Sequence, residues 1–490
     1  MNDSSGPGIS GFSLYFPAYR VSLEDWCGWT GEPWPKVRAV TGRSFRLPGP
    51  NENVYTMAAT AVMRLIEDYD VDPESIGMLA LGTESSTDNA AGAVILRGMI
   101  DRRLEELGRP RLSRHCEVPE MKHACLGGIY ALKAATRYVS TDGAGRRAIV
   151  VSGDVAEYER GSSGEPTQGA GAVAMLVEPE ARLLRVDLSR AGSASAYRGP
   201  DFRKPMGRHR IAGYAADTQR HHDFPVFNGK YSTYAYLDET VAAVDELCAR
   251  HDLEAQALFD RAAAMFFHRP YRMMPLSALA FLVVRAMARR PEAQAELAAL
   301  CEQEGVAPQS LLAEAGIAPD LFSRLEGGDD EHPYPATARL ASAYRKTPAF
   351  AALAEAKLAL GADHAMDFGN LYTAALPAWL AAGLEAAAIE GRELTGELLL
   401  AIGYGSGDAA EALPLYPVAG WAEQARKLRS AVALEGAIDL DQSGYERLHD
   451  EGAIDEPRPI SGFFAIDSVG ARREASFHDL GVEYYAYLAR

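Results

Sequence analysis

Short apolar runs alternating with amphipathic helical segments predict an α/β fold whose sheet is covered on both faces. Three observations carry that prediction. They are the alternation itself, its return in the second half of the chain, and an ordinary globular composition of 48% hydrophobic, 24% charged and 9% aromatic residues over 490 positions. At about 150 residues per domain, the length suits roughly three ordinary cores or two large lobes.

The elements follow in order. Residues 9–19 alternate in polarity and meet Pro17, as a strand ending there would. Residues 53–68 set Met57, Val62, Leu65 and Ile66 at helical spacing. Residues 76–82 are a short apolar strand. Residues 125–139 contain Gly127-Gly128 and then an Ala-rich helical pattern, with buried strands at 148–151 and 172–177. Residues 191–228, rich in Gly, Pro, Arg and His, read as a long functional loop. A helix at 234–251 and a strand at 262–267 follow. Residues 286–342 are helical, polar and broken by Pro and Gly, as an insertion on the core would be. A helix at 374–388 and a strand at 398–402 repeat the strand–helix–strand order, without a short-period sequence repeat.

Composition narrows the function. With 49 Lys and Arg against 67 Asp and Glu, the net charge of -18 argues against generic nucleic-acid binding. The apolar stretch 273–284 contains Pro275 and Ser277 and stops at Arg285, short of the roughly 20 residues that span a bilayer. Residues 1–8 are polar and lack an apolar core, and the five cysteines are odd in number with no CxxC spacing. Together these predict reduced thiols and a cytoplasmic location, with no zinc site. No P-loop, complete GxGxxG, GxSxG or HExxH occurs.

Three residues stand out for chemistry. Cys125 precedes a helical segment, where unpaired N–H groups and the helix dipole lower a thiol pKa. It reads as a nucleophile or as a buried structural cysteine. Glu84 follows a strand end, where ligand sites of open sheets collect; it is either a general base or a helix-capping or solvated carboxylate. His268 ends another strand-like run after two Phe, as a catalyst or a hydrogen-bonded packing residue. Backbone N–H groups of the Gly-rich turns at 169–172 and 403–407 are oxyanion-hole candidates.

Taken together, six stretches are specific. They are Gly82-Thr83-Glu84-Ser85, Glu120-Met121-Lys122-His123-Ala124-Cys125, the run from Gly164-Glu165-Pro166-Thr167-Gln168 to Met175, Phe267-His268, Gly369-Asn370-Leu371-Tyr372-Thr373 and Tyr404-Gly405-Ser406-Gly407. In order and in span the chain resembles the 3-hydroxy-3-methylglutaryl-CoA synthase family of thiolase-fold condensing enzymes. Ketoacyl synthases of the same fold share the Cys and the His, but not this Glu or the Glu-Pro-Thr-Gln-Gly-Ala-Gly run.

The resemblance implies a duplicated thiolase-like fold, layered α-β-α-β-α with mixed sheets. It divides the chain into an N-terminal half at 8–190 and a C-terminal half at 191–490 carrying the insertion at about 286–342. It implies an acyltransferase in which Cys125 takes an acetyl group from acetyl-CoA. Glu84 removes a methyl proton, the enolate attacks the ketone of an acetoacetyl thioester, and water releases the product. His268 and Asn370 hold the acetoacetyl group, and Cys125 and Ser406, with Gly405 beside it, supply the oxyanion hole. Asp154 and Tyr372 match supporting positions. No metal or redox cofactor is implied; coenzyme A thioesters are substrates, and a homodimer is expected, with no nucleic-acid or membrane partner.

Two positions depart from the family: Leu126, where an aromatic residue is common, and Met273, where a Lys associated with CoA is usual. Arg203 and Lys204 in the basic run 203–210, together with Arg269 and Arg272, are the candidates for CoA phosphates. The departures leave open a polyketide β-branching synthase acting on chains held by an acyl carrier protein. A ketoacyl synthase III-like enzyme and a non-catalytic scaffold are the other readings.

Overall fold

The computed structural model describes residues 6–143, 145–204, 224–289, 294–329, 331–455 and 461–489. The chain opens with β1 (Gly8–Tyr15), two short helices α1 (Leu23–Thr30) and α2 (Trp34–Val40), and α3 (Val54–Asp68). β2 (Ile76–Gly82), α4 (Gly127–Ser140), β3 (Arg147–Ala156), β4 (Gly169–Glu178) and β5 (Leu184–Val186) follow. The second part carries α5 (Gly229–His251), β6 (Ala262–Phe267) and α6 (Met273–Met287). Next come α7 (Gln294–Glu304), α8 (Pro308–Ala315), α9 (Leu321–Glu326), α10 (Pro335–Tyr344), α11 (Ala375–Ile389), β7 (Leu398–Gly405) and β8 (Ala409–Pro417).

Among the described residues, ten strands join in one mixed sheet. Its path runs β6-β7-β8-β5-β1-β4-β3-β2 and ends on Glu120–Met121, with Gly192–Ser195 paired to β8. One connectivity is built twice. β2 crosses through α4 to the parallel β3, which turns back to the antiparallel β4; β6 crosses through α11 to the parallel β7, which turns back to the antiparallel β8. The three-residue β5 pairs with both β1 and β8 and ties the two sets together.

Strand periodicity explains the layers. Met78 and Ala80 of β2, with Ala148 and Val150 of β3, face a core shared with α4 and α11, whereas Leu79, Leu81, Ile149 and Val151 face α3. α3 starts on a reciprocal cap: the Asn53 side chain accepts from Thr56 N at 3.0 Å, and Thr56 Oγ1 accepts from Asn53 N at 2.9 Å. The longest apolar helical stretch is Tyr372–Ile389, not the 273–284 run; it covers 18 residues and is 89% buried inside the protein, as a core helix is.

In the helical insertion α10 packs on α6 and α7. The buried Glu314 caps α10, accepting from Ala336 N and Thr337 N at 2.8 Å each. A C-terminal hairpin, Phe463–Val469 with Glu483–Leu488, lays Phe463 and Phe464 on α3, an element the hydrophobic pattern does not announce.

Candidate active site

Four chain segments converge where β2, β6 and β7 end. Cys125 stands just before α4, and Ala124 takes a left-handed φ of 39°, which turns the chain sharply at this point. Close backbone approach sets the nucleophile candidate beside the acid candidate. A Cβ on Gly82 would lie 2.4 Å from Gly128 Cα, and one on Gly128 would lie 2.1 Å from Ser152 Oγ. Only glycine lets the start of α4 rest on the end of β2. Cys125 Sγ then lies 3.8 Å from Glu84 Oε2, both residues being buried.

Burial, reinforced by the nearby Glu84 and Asp154 carboxylates, pushes the Cys125 thiol well above its ordinary value, with Lys204 opposing. This corrects the expectation that the helix N-terminus leaves the thiol acidic. In so dry a place desolvation and like charge outweigh the dipole, so the thiol needs a base, and Glu84 is in contact with it.

A cavity of about 330 Å³ opens onto Cys125. His268, Asn370, Tyr372, Tyr404 and Ser406 line it, and Tyr158, Phe202 and Phe227 form apolar walls. The backbone N–H of His268 donates to Ile402 O at 2.7 Å, continuing the pairing of β6 with β7. Burial pushes its imidazole down to about 3, so the ring is neutral near pH 7. Asn370 Oδ1 accepts from Tyr372 N at 3.0 Å, fixing the carboxamide. Gly405 presses on α4: a Cβ there would lie 2.7 Å from Leu126 Cβ. Leu126 itself is fully buried.

Asp154 has another place than substrate contact. It is fully buried behind the cavity, and its carboxylate accepts from Thr83 Oγ1, Glu84 N, Ser85 N, Ser85 Oγ, Thr373 N and Thr373 Oγ1, at 2.5 to 3.0 Å. It ties the turn bearing Glu84 to the segment bearing Tyr372. The Glu-Pro-Thr-Gln run has a similar function: Glu165 accepts from Trp26 Nε1 at 3.0 Å and Tyr445 Oη at 2.7 Å.

The four basic candidates fall in three different places. Lys204 turns inward, with Nζ 3.1 Å from Glu84 Oε1 and 4.8 Å from the centre of the Tyr372 ring. Arg203 donates to Phe202 O at 2.7 Å and lies against the Tyr197 ring. Arg269 and Arg272 line a second cleft of about 750 Å³ with Arg38, Arg43 and Trp379, on the other side of the same 268–276 segment. Burial lowers Arg269 to about 9. Positions 205–210 of the basic run lie outside the described residues. At the departure Met273, Arg345 donates to Met273 Sδ at 3.1 Å and to Ser277 Oγ at 2.9 Å. Sequence reasoning also missed Tyr158, a cavity aromatic that no local pattern distinguishes from a core residue, and it gave Tyr404, which lies in one of the six stretches, no role of its own. Among the described residues, no group of three or more His, Cys, Asp or Glu is arranged to hold a metal ion.

The family model described as hydroxymethylglutaryl-coenzyme A synthase N terminal matches residues 4–182. A hydroxymethylglutaryl-CoA synthase of Haloferax volcanii is 28% identical over 405 residues, 82% of this chain and 81% of the relative. One from Ganoderma lucidum is 32% identical over 296 residues, so that the match spans little more than half, 58%, of each protein. A structure of MvaS in complex with 3-hydroxy-3-methylglutaryl coenzyme A superposes with a TM-score of 0.76 at 27% identity, covering 99% of this chain and 100% of that one. The curacin biosynthetic pathway HMG synthase in complex with an acetyl donor-ACP has a TM-score of 0.70 at 19% identity, with the same coverage, and speaks for the fold alone. In fold, in motifs and in these relatives, the chain is similar to hydroxymethylglutaryl-CoA synthases, whose N-terminal family model matches residues 4–182.

Proposed function

We propose that this chain is an acyltransferase that condenses acetyl-CoA with an acetoacetyl thioester to give a 3-hydroxy-3-methylglutaryl thioester. The observation that carries the proposal is the 3.8 Å contact of Cys125 Sγ with Glu84 Oε2, beside the cavity lined by His268 and Asn370. Glu84 takes the thiol proton, and the thiolate attacks the acetyl carbonyl. The C–S bond to CoA breaks, and the leaving thiolate takes up that proton. Glu84, ionised again, removes a proton from the acetyl methyl group, and the resulting enolate attacks the C3 ketone of the second thioester. The proton on Glu84 passes to the new alkoxide, and water then cleaves the Cys125 thioester into a carboxylic acid and a thiol. Neutral His268 donates a hydrogen bond to the acetoacetyl oxygen, with Asn370 beside it. The Cys125 and Ser406 N–H groups face the developing oxyanion.

Coenzyme A as the acceptor's carrier belongs to the same proposal. It is supported by the neighbouring cleft, whose lining includes Arg38, Arg269 and Arg272 as donors for phosphates, Arg43 being paired there with Asp363 and Asp367. The halves 8–190 and 191–490, a homodimer and a cytoplasmic setting also remain proposals. The five cysteines, all buried and unpaired, support a reducing compartment.

Turnover of acetoacetyl-CoA against acetoacetyl-carrier protein tests the carrier, and a large preference for the protein-bound substrate rejects CoA. Mass spectrometry after exposure to acetyl-CoA should find an acetyl adduct on Cys125. Glu84→Ala should still accumulate that adduct, more slowly, while condensation falls at least about 100-fold. Condensation that survives Glu84→Ala would instead indicate ketoacyl synthase chemistry.

A further inference from the structure

Lys204 is the basic residue whose position departs furthest from what its sequence suggests. It belongs to a basic run, yet its side chain is only 11% exposed and points at a carboxylate that is 4% exposed. We propose that Lys204 is a positioning residue for the condensation: its ammonium, held between Glu84 and the Tyr372 ring, keeps Glu84 ionised and aimed at Cys125.

The surroundings of Glu84 make a cation necessary. Cys125 Sγ is 3.8 Å from one carboxylate oxygen. Behind Glu84 lies the fully buried Asp154, which accepts from the Glu84 backbone N–H at 2.8 Å. Across the cavity are the phenols of Tyr372 and Tyr158, whose rings pack edge to face with centres 6.4 Å apart. The Asp154 carboxylate and burial both disfavour a second negative charge here, and the Cys125 thiol, which donates to Oε2, offsets them only in part. Lys204 Nζ, 3.1 Å from Glu84 Oε1, reverses that balance. Cys125, Asp154 and Tyr158 all feel it as an opposing positive charge. Its seat over the Tyr372 ring, 4.8 Å from the centre, holds the ammonium in the dry site by cation–π attraction. Since Asp154 binds both the 83–85 turn and Thr373, the cation, its platform and the base share one support.

The consequence is a division of labour. Oε1 faces Lys204 and Oε2 faces Cys125, so the ammonium fixes which oxygen meets the reacting thiol and methyl group. Removing it takes away a positive charge that favours ionised Glu84, so the base is ready for the methyl proton only at higher pH. A cation that merely buttressed the fold would leave the pH at which the base works unchanged.

The inference rests on the condensation proposed above, so the test pairs a kinetic readout with one that needs no turnover. The first is kcat and KM for condensation between pH 5 and 10 in wild type, Lys204→Met, Lys204→Gln and Lys204→Arg. The acidic limb of kcat should move up by one pH unit or more in the Met and Gln variants. Below the wild-type limb that is about a tenfold loss for each pH unit the limb moves, regained at high pH, with KM little changed. Lys204→Arg should keep the limb near the wild-type pH. The second is the rate of Cys125 carboxamidomethylation by iodoacetamide against pH without substrate, which should titrate at higher pH in the Met and Gln variants. An acidic limb unmoved in both neutral variants, or an unmoved thiol titration, overturns the role of Lys204. If wild type turns over neither thioester, the proposed condensation fails, and the alkylation profile by itself decides whether Lys204 governs the charge of this site.

Discussion

Burial sets the charge of His268, and with it what the ring offers a substrate. Its folded value near 3 lies below the roughly 6.5 of an unfolded histidine, so between those values the unfolded chain binds a proton that the native site refuses. The contribution of His268 to stability is therefore complete above about pH 6.5 and is lost as pH falls toward 3. Thermal unfolding followed from pH 7 to pH 4 should show wild type losing stability more steeply than His268→Asn; parallel slopes would contradict the neutral, buried imidazole. The single residues of this site were unevenly legible. Cys125, Glu84 and His268 sit in recognisable stretches. The inward turn of Lys204 was not legible, because its partner Glu84 is far away in sequence and a run of basic residues ordinarily faces water.

At the scale of elements, the site depends on helix α4 lying hard against strand β2. A methyl group on Gly128 meets Ser152 Oγ and the Thr373 carbonyl, backbone that cannot give way without moving the Glu84 turn. Gly128→Ala should cost about 1–3 kcal/mol of stability in denaturant unfolding and slow acetylation of Cys125. Wild-type acetylation in that variant would mean that the close approach is dispensable. Strands β2 and β6 were legible to the residue, because short apolar runs bounded by turn residues have one reading. The two helices at Leu23–Thr30 and Trp34–Val40 and the C-terminal hairpin were not. Their residues are only partly apolar, and packing against Phe45, Tyr445 and α3 completes their cores.

For the whole molecule, the repeated connectivity followed from the order of strands and helices, but the joining of both sets into one sheet did not. The join is β5 together with a buried ion pair: Lys133 of α4 reaches Glu411 of β8 at 2.5 Å, and Ser193 Oγ donates to Glu411 at 2.8 Å. Both charged side chains are under 10% exposed. Glu411→Ala strands an ammonium between the halves and should destabilise the protein by about 3–5 kcal/mol, measured by urea unfolding. A loss below about 1 kcal/mol would show that the pair is dispensable to the join.

The position of the cavity gives that join a second meaning. Cys125 and Glu84 come from one side of β5, and His268, Asn370 and Ser406 from the other. The reacting groups thus come from both sets of strands, and about 1 Å of misplacement between them can cost about 100-fold in rate. β5 and the ion pair, neither of which touches a substrate, maintain that alignment together with Asp154, which binds the 83–85 turn and Thr373, and with the core common to α4 and α11.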